Sequence, residues 1–178
     1  TSVIGLAAKP IIDIVLEVAD LIRQHNVQCL VVDPVMKATS GYQLADKAAI
    51  IVLKEKLLPL ARVVTPNIPE AEDLVGFSIS DEPTMRRAAE LIREMGPQAV
   101  LLKGGHLPRA SEAMDLLVED GKVTLFRGEW IKGGVFHGTG CMLSAAIAAC
   151  LARGTTLEDS VRQAKSYVSA MMRARVES

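Results

Sequence analysis

Phe136-His137-Gly138-Thr139-Gly140-Cys141, running into Met142–Arg153, puts two glycines, a hydroxyl and a thiol directly before a helical run of small and apolar residues. Glycine lets a backbone turn tightly and come close to a ligand. The N–H groups that open a helix lack partners within it, and together with the helix dipole they favour an anion, most often a phosphate. Cys141 stands at that positive end, where a thiolate forms more readily. A Gly-x-Gly turn ahead of a helix is also a common structural device, so the remaining sequence has to decide between the two readings.

The chain has 178 residues, which suits one ordinary α/β domain. It is 49% apolar and only 3% aromatic, which points to a core of Leu, Val, Ile and Ala, as where helices cover a parallel sheet. A net charge of −1 gives no electrostatic case for nucleic acid or an acidic membrane surface as partner. No apolar run approaches the ~20 residues of a spanning helix, and the N-terminus lacks the pattern of a secretion signal. Cys29, Cys141 and Cys150 are odd in number and widely spaced. That fits a reducing cytoplasm better than a disulfide framework, and the spacing is not that of a metal site.

Residues 1–9 are short and mixed. Pro10 to His25 carry apolar residues at helical spacing, with Pro10 suited to a first turn. Cys29-Leu30-Val31-Val32 reads as a buried strand stopped by Asp33-Pro34, and Val35–Tyr42 as a loop. Leu44–Leu60 is predicted helical, Ala61–Thr65 a second strand, and Ile68–Val75 a short helix closed by Gly76. Ser80-Asp81-Glu82-Pro83 starts another helix, over Met85–Met95, and Ala99–Lys103 is a third strand ended by Gly104-Gly105. Ala113–Val118 and Lys122–Phe126 flank an Asp-Gly turn and read as a hairpin. Thr155-Thr156-Leu157-Glu158 has capping-box spacing and opens a last helix, to about residue 175.

Strands alternating with helices imply a parallel sheet, and ligands of such sheets collect at the carboxyl ends of the strands. Those ends carry Asp33; Thr65-Pro66-Asn67 with Glu70 just beyond; and Lys103-Gly104-Gly105. Magnesium takes oxygen ligands, often one or two carboxylates completed by water and substrate phosphates. Lysine supplies a point charge to phosphate oxygens. With the glycine loop as a source of backbone donors, the inventory is that of phosphoryl transfer.

Four blocks carry a resemblance: Val32-Asp33-Pro34-Val35-Met36 with Ala38–Gly41, Val64-Thr65-Pro66-Asn67-Ile68-Pro69-Glu70-Ala71-Glu72, Leu102-Lys103-Gly104-Gly105-His106, and His137-Gly138-Thr139-Gly140-Cys141 with Leu143–Ala149. In order and spacing they resemble the phosphomethylpyrimidine kinases of thiamine biosynthesis, in the ribokinase-like superfamily. The resemblance implies a three-layer αβα fold with a mostly parallel sheet. It also implies that residues 1–178 are one partial domain, the C-terminal two-thirds of the family's, with the N-terminal strands missing.

Further implied are ATP and Mg²⁺, and phosphorylation of a hydroxymethylpyrimidine and then of its monophosphate; some relatives act on pyridoxal-type alcohols. Asp33 and Glu70 would face the metal. Thr65, Asn67, Lys103, Gly104 and Gly105 would lie toward the nucleotide, and Val35, Met36 and His137 toward the substrate. Gly138, Thr139, Gly140 and Cys141 would form the anion hole, with Cys141 the base that accepts the hydroxymethyl proton. Phe136 departs from the family's usual threonine, and Ser2–Leu6 matches it only loosely. A missing first strand would leave a sheet edge for a homodimer to cover. A nucleotide-binding remnant without catalysis stays open beside the kinase reading.

Taken singly, these residues also have plain structural readings. Asp33 can end a strand, Asn67 can make a turn, Glu70 can favour a helix start, and Cys141 can be a small buried residue.

Overall fold

The computed structural model of the chain describes residues 2–5, 12–36, 46–105, 112–129, 131 and 138–176. Six strands form one sheet in the order β1-β2-β3-β4-β5-β6, so neighbours in sequence are neighbours in space. β1 (Ser2–Gly5), β2 (Leu30–Asp33), β3 (Val63–Val64) and β4 (Ala99–Lys103) run parallel. β5 (Ala113–Glu119) and β6 (Lys122–Gly128) continue the sheet as an antiparallel hairpin. Asp120 and Gly121 turn that hairpin with φ of 49° and 75°, the left-handed pair that a two-residue Asp-Gly turn needs.

α1 (Ile12–Gln24), α2 (Lys47–Val52), α3 (Ile68–Val75) and α4 (Glu82–Glu94) connect the parallel strands. They bury Val15, Ala49, Leu74 and Met85 with Leu30, Val32, Val100 and Leu102 on one face of the sheet. α5 (Thr139–Ala152) and α6 (Leu157–Val176) bury Leu143, Ile147 and Val161 with Val31, Val63, Ala99 and Leu101 on the other. Successive strand residues thus serve opposite layers, as the two-residue period of a strand requires. Because Val31, Val63 and Leu101 face α5 and α6, so do Asp33, Thr65 and Lys103, each two residues further on.

Three sequence expectations shift. The helix expected over Leu44–Leu60 is described from Asp46, whose carboxylate caps it at Ala49 N (2.8 Å). It then widens into a π turn at Leu53–Leu57 and tightens into a 3₁₀ turn at Leu58–Leu60. Pro59 has no N–H to continue the ladder, and Ala61 is already extended. The last helix is capped one residue later than Thr155–Glu158 spacing predicted. Thr156 Oγ1 accepts from Asp159 N (3.2 Å), while the Thr155 hydroxyl turns back to the Cys150 carbonyl (2.7 Å) and closes α5. Ser2–Gly5, read as mixed sequence, pairs with β2 from Ser2↔Leu30 to Gly5↔Asp33.

Candidate active site

The carboxyl ends of β2, β3 and β4 meet the start of α5. Asp33 ends β2 and is 2% exposed. Its Oδ1 accepts from Lys103 Nζ (2.9 Å) and from Thr65 Oγ1 (3.3 Å). Its Oδ2 is buried without a hydrogen-bond partner among the described residues. A buried unpaired oxygen costs about 1–3 kcal/mol, and more when it carries charge. The protein sustains that cost at a carboxylate already half-committed to a lysine.

Asn67 caps α3: its side chain accepts from Glu70 N (2.9 Å), and the Glu70 carboxylate accepts from Asn67 N (2.8 Å). Glu70 thus serves the helix start that its plain structural reading gives it, while Asn67, read there as a turn residue, is instead the N-cap of a reciprocal capping box. Glu70 is nevertheless buried beside charge. Burial pushes its pKa up to about 7; the Lys103 charge and hydrogen bonds from the Asn67 and Met36 backbone pull against that, and Asp33 adds to it.

Gly138 starts α5 with φ of 78°, a left-handed conformation, and no side chain among the described residues caps the helix. The first turn's amides are thus open to an anion. A Cβ on Gly140 would lie 3.2 Å from Lys103 Nζ, so the ammonium rests against the glycine of this turn. Thr139 is half-buried and Cys141 exposed. Against the thiolate expected at Cys141, partial desolvation of the thiol first, and then the negative charge of the neighbouring Asp33 carboxylate, raise its pKa, with Lys103 opposing.

Other expected residues divide. Thr65 is fully buried, with its hydroxyl turned to Ser144 and Asp33. Gly104 is needed for packing, since a Cβ there would lie 2.0 Å from the Met114 carbonyl oxygen; its N–H donates to Asp115 Oδ1 (3.0 Å). Gly105 is open around its α-carbon. Val35 is half-buried, Met36 packs into the core at 1% exposure, and His137 lies outside the described residues.

Sequence reasoning missed Asp115 and Lys165. Asp115 pairs in register with Lys103 and accepts from the Lys165 ammonium of α6. Asp33, Lys103, Asp115 and Lys165 thereby set alternating charges along the rim. The available signal was a lone carboxylate inside the apolar run Ala113–Val118.

Among the described residues no cluster of three or more His, Cys, Asp or Glu side chains forms a metal cage. The donor set instead fits a hard cation held by few protein ligands. The free Oδ2 of Asp33 and the carboxyl of Glu70 offer oxygens, and water or phosphate would complete the shell.

The sequence matches the family described as phosphomethylpyrimidine kinase over residues 4–178. It is 47% identical over 158 residues to the hydroxymethylpyrimidine/phosphomethylpyrimidine kinase of Rhizobium meliloti, covering 88% of this chain and 59% of that one. The fold superposes on phosphomethylpyrimidine kinase from Clostridium difficile with a TM-score of 0.80 at 36% identity, covering 96% of this chain and 68% of that one. The pyridoxal kinase of Staphylococcus aureus, in complex with AMP-PCP and pyridoxal, gives a TM-score of 0.83 at 29% identity, over 92% of this chain and 58% of that one. The chain spans 30% to 59% of the length of curated relatives it matches. With one rim of the sheet arranged as above, the α/β chain belongs to the phosphomethylpyrimidine kinase family.

Proposed function

We propose that this chain supplies the phosphoryl-transfer machinery of an ATP-dependent kinase that phosphorylates hydroxymethylpyrimidine and its monophosphate in thiamine biosynthesis. One observation carries the reading: Lys103 Nζ lies 2.9 Å from Asp33 and against Gly140, so cation-facing and anion-facing groups meet at one ammonium. Family membership and kinship with kinases crystallised with nucleotides support it.

In this reading the open amides from Thr139 to Cys141 hold the transferring phosphoryl group, and Lys103 neutralises its charge. Asp33 and Glu70 would hold magnesium, which would supply positive charge against the repulsion of the phosphates. Cys141 accepts the hydroxymethyl proton. Its raised pKa means that the base form is scarce until the charge of Asp33 is offset. Val35, Met36 and His137 form the substrate side, and Asn67, Gly104 and Gly105 shape the nucleotide side. A homodimer is the assembly proposed, and gel filtration tests it. The cytoplasm is the compartment proposed: the cysteines are free, and no helix among the described residues is long and apolar enough to cross a membrane.

The test follows ADP release and phosphorylated product with the pyrimidine alcohol, for the parent and for Cys141→Ala. Product from the parent and a loss of about a hundredfold or more in the variant are expected for a base. Equal turnover in both removes Cys141 from that role. Preference for pyridoxal would favour the second reading, which rests on the 0.83 TM-score to the pyridoxal kinase. Nucleotide binding with neither alcohol phosphorylated would leave a non-catalytic nucleotide module.

A further inference from the structure

Two buried hydroxyls join the two halves of the site. Ser144 Oγ lies 3.0 Å from the Gly140 carbonyl and 2.8 Å from Thr65 Oγ1. Thr65 Oγ1 lies 3.3 Å from Asp33 Oδ1, the oxygen that also takes the Lys103 ammonium. Both Thr65 and Ser144 are 0% exposed, so neither side chain reaches a ligand. Two donors converging on Oδ1 fix the plane of the carboxylate and so fix where Oδ2 points. Oδ2 is buried without a hydrogen-bond partner among the described residues. The other end of the link is the first turn of α5, whose amides face the proposed anion. Thr65 Oγ1 also lies 3.4 Å from the Val32 carbonyl, so two hydroxyl hydrogens are shared among four contacts. The negative charge on Asp33 draws the Thr65 hydrogen toward it, which leaves the Ser144 hydrogen to be donated to Thr65 Oγ1 and ties Asp33 to α5.

We propose that Thr65 and Ser144 are positioning residues: they hold Asp33 Oδ2 at a set orientation to the Gly140 turn, so that cation and transferring phosphate are presented together. This rests on the kinase reading above and gives Thr65 a role other than direct nucleotide contact. A misplacement of about 1 Å between reacting groups costs on the order of a hundredfold in rate.

Thr65→Val removes the hydroxyl at nearly constant shape, Thr65→Ser restores it, and Ser144→Ala cuts the link from the other side. In Thr65→Val we expect kcat for the pyrimidine alcohol to fall about tenfold to a hundredfold, with KM for ATP within about threefold. Thr65→Ser should return to within about threefold of the parent. Calorimetry with AMP-PCP gives a readout independent of turnover: the gain in affinity on adding Mg²⁺ should shrink about fivefold or more in Thr65→Val.

The proposal fails if Thr65→Val keeps both kcat and the Mg²⁺ gain within about twofold of the parent. It fails equally if Thr65→Ser is as impaired as Thr65→Val, or if the parent shows no Mg²⁺ gain at all. A parent that binds Mg²⁺–AMP-PCP but phosphorylates no alcohol overturns the kinase reading instead, and the calorimetric arm then decides the positioning role. Should Thr65→Val not fold, as judged by urea unfolding, Ser144→Ala is read through the same two arms.

Discussion

α3 and α5 both begin at the carboxyl rim of the sheet, and they begin in opposite ways. Asn67 and Glu70 close the start of α3 with reciprocal hydrogen bonds of 2.9 and 2.8 Å. α5 starts at a left-handed glycine with no side-chain cap. Both helices start at the ends of strands on one rim, yet of the two, among the described residues, α5 is the one that leaves its first amides for a ligand. A helix start is therefore not an anion site by position alone; it becomes one when the sequence withholds the cap. Lys103 stands between the two, its backbone N–H bonded to the Pro66 carbonyl (2.8 Å) and its ammonium against Gly140.

The hardest blow to that contrast is Lys103→Met. It removes the charge beside α5 and strands a carboxylate that is 2% exposed. Turnover should fall by about a hundredfold to a thousandfold, with weaker AMP-PCP binding by calorimetry. Gly140→Ala is gentler. Its methyl would meet the ammonium at 3.2 Å, so Lys103 has to shift by a few tenths of an ångström. About a tenfold loss of turnover is expected with an unchanged urea midpoint, because no backbone strain is added.

Asn67→Ala should show the reverse pattern. It opens the α3 capping box and should cost about 1 kcal/mol in urea unfolding. The loss should exceed any effect on the Mg²⁺-free affinity for AMP-PCP. If Asn67→Ala leaves stability untouched and abolishes nucleotide binding, the contrast between the two helix starts is wrong.

The smallest effect sharpens the same point by pH. Glu70 has its pKa raised from 4.5 to about 7 by burial. A carboxyl raised on folding favours the folded state fully at pH below about 4.5, and that contribution is lost as pH rises through about 7. The metal-free parent should therefore lose urea stability between pH 5 and pH 8. Glu70→Gln, which keeps an oxygen for Asn67 N–H, should lose less over the same interval. Parallel curves for the two proteins would count against a buried, proton-holding Glu70.

Much of this was legible because local chemistry and global fold agree. Ile68–Val75 and Ala99–Lys103 are legible to the residue, the first from its closing Gly76, the second from an apolar run ended by glycines. The resemblance gathered Asp33, Lys103 and the α5 turn, and the structure brings them together. What escaped depends on register and surroundings, which spacing does not carry. Asp115 acquires its place from antiparallel pairing with Lys103, and Lys165 from the packing of α6. Gly104, read as a ligand approach, answers to the Met114 carbonyl. The Cys141 thiolate is argued from the helix dipole, whereas partial desolvation and the neighbouring Asp33 carboxylate push its pKa the other way. Ser2–Gly5 is short, and its strand character comes from having β2 beside it.

The alternation that sends Val31 to one layer and Val32 to the other has a further consequence. Core and catalytic groups are threaded on the same strands, so they share a single frame. Adding one residue ahead of Val31 would turn Asp33 away from α5 and drive it among Leu102 and Met85. Chemistry at this rim is thus guarded by the same parity rule that keeps oil from water, and drift in strand length is purged by misfolding before it can erode the site.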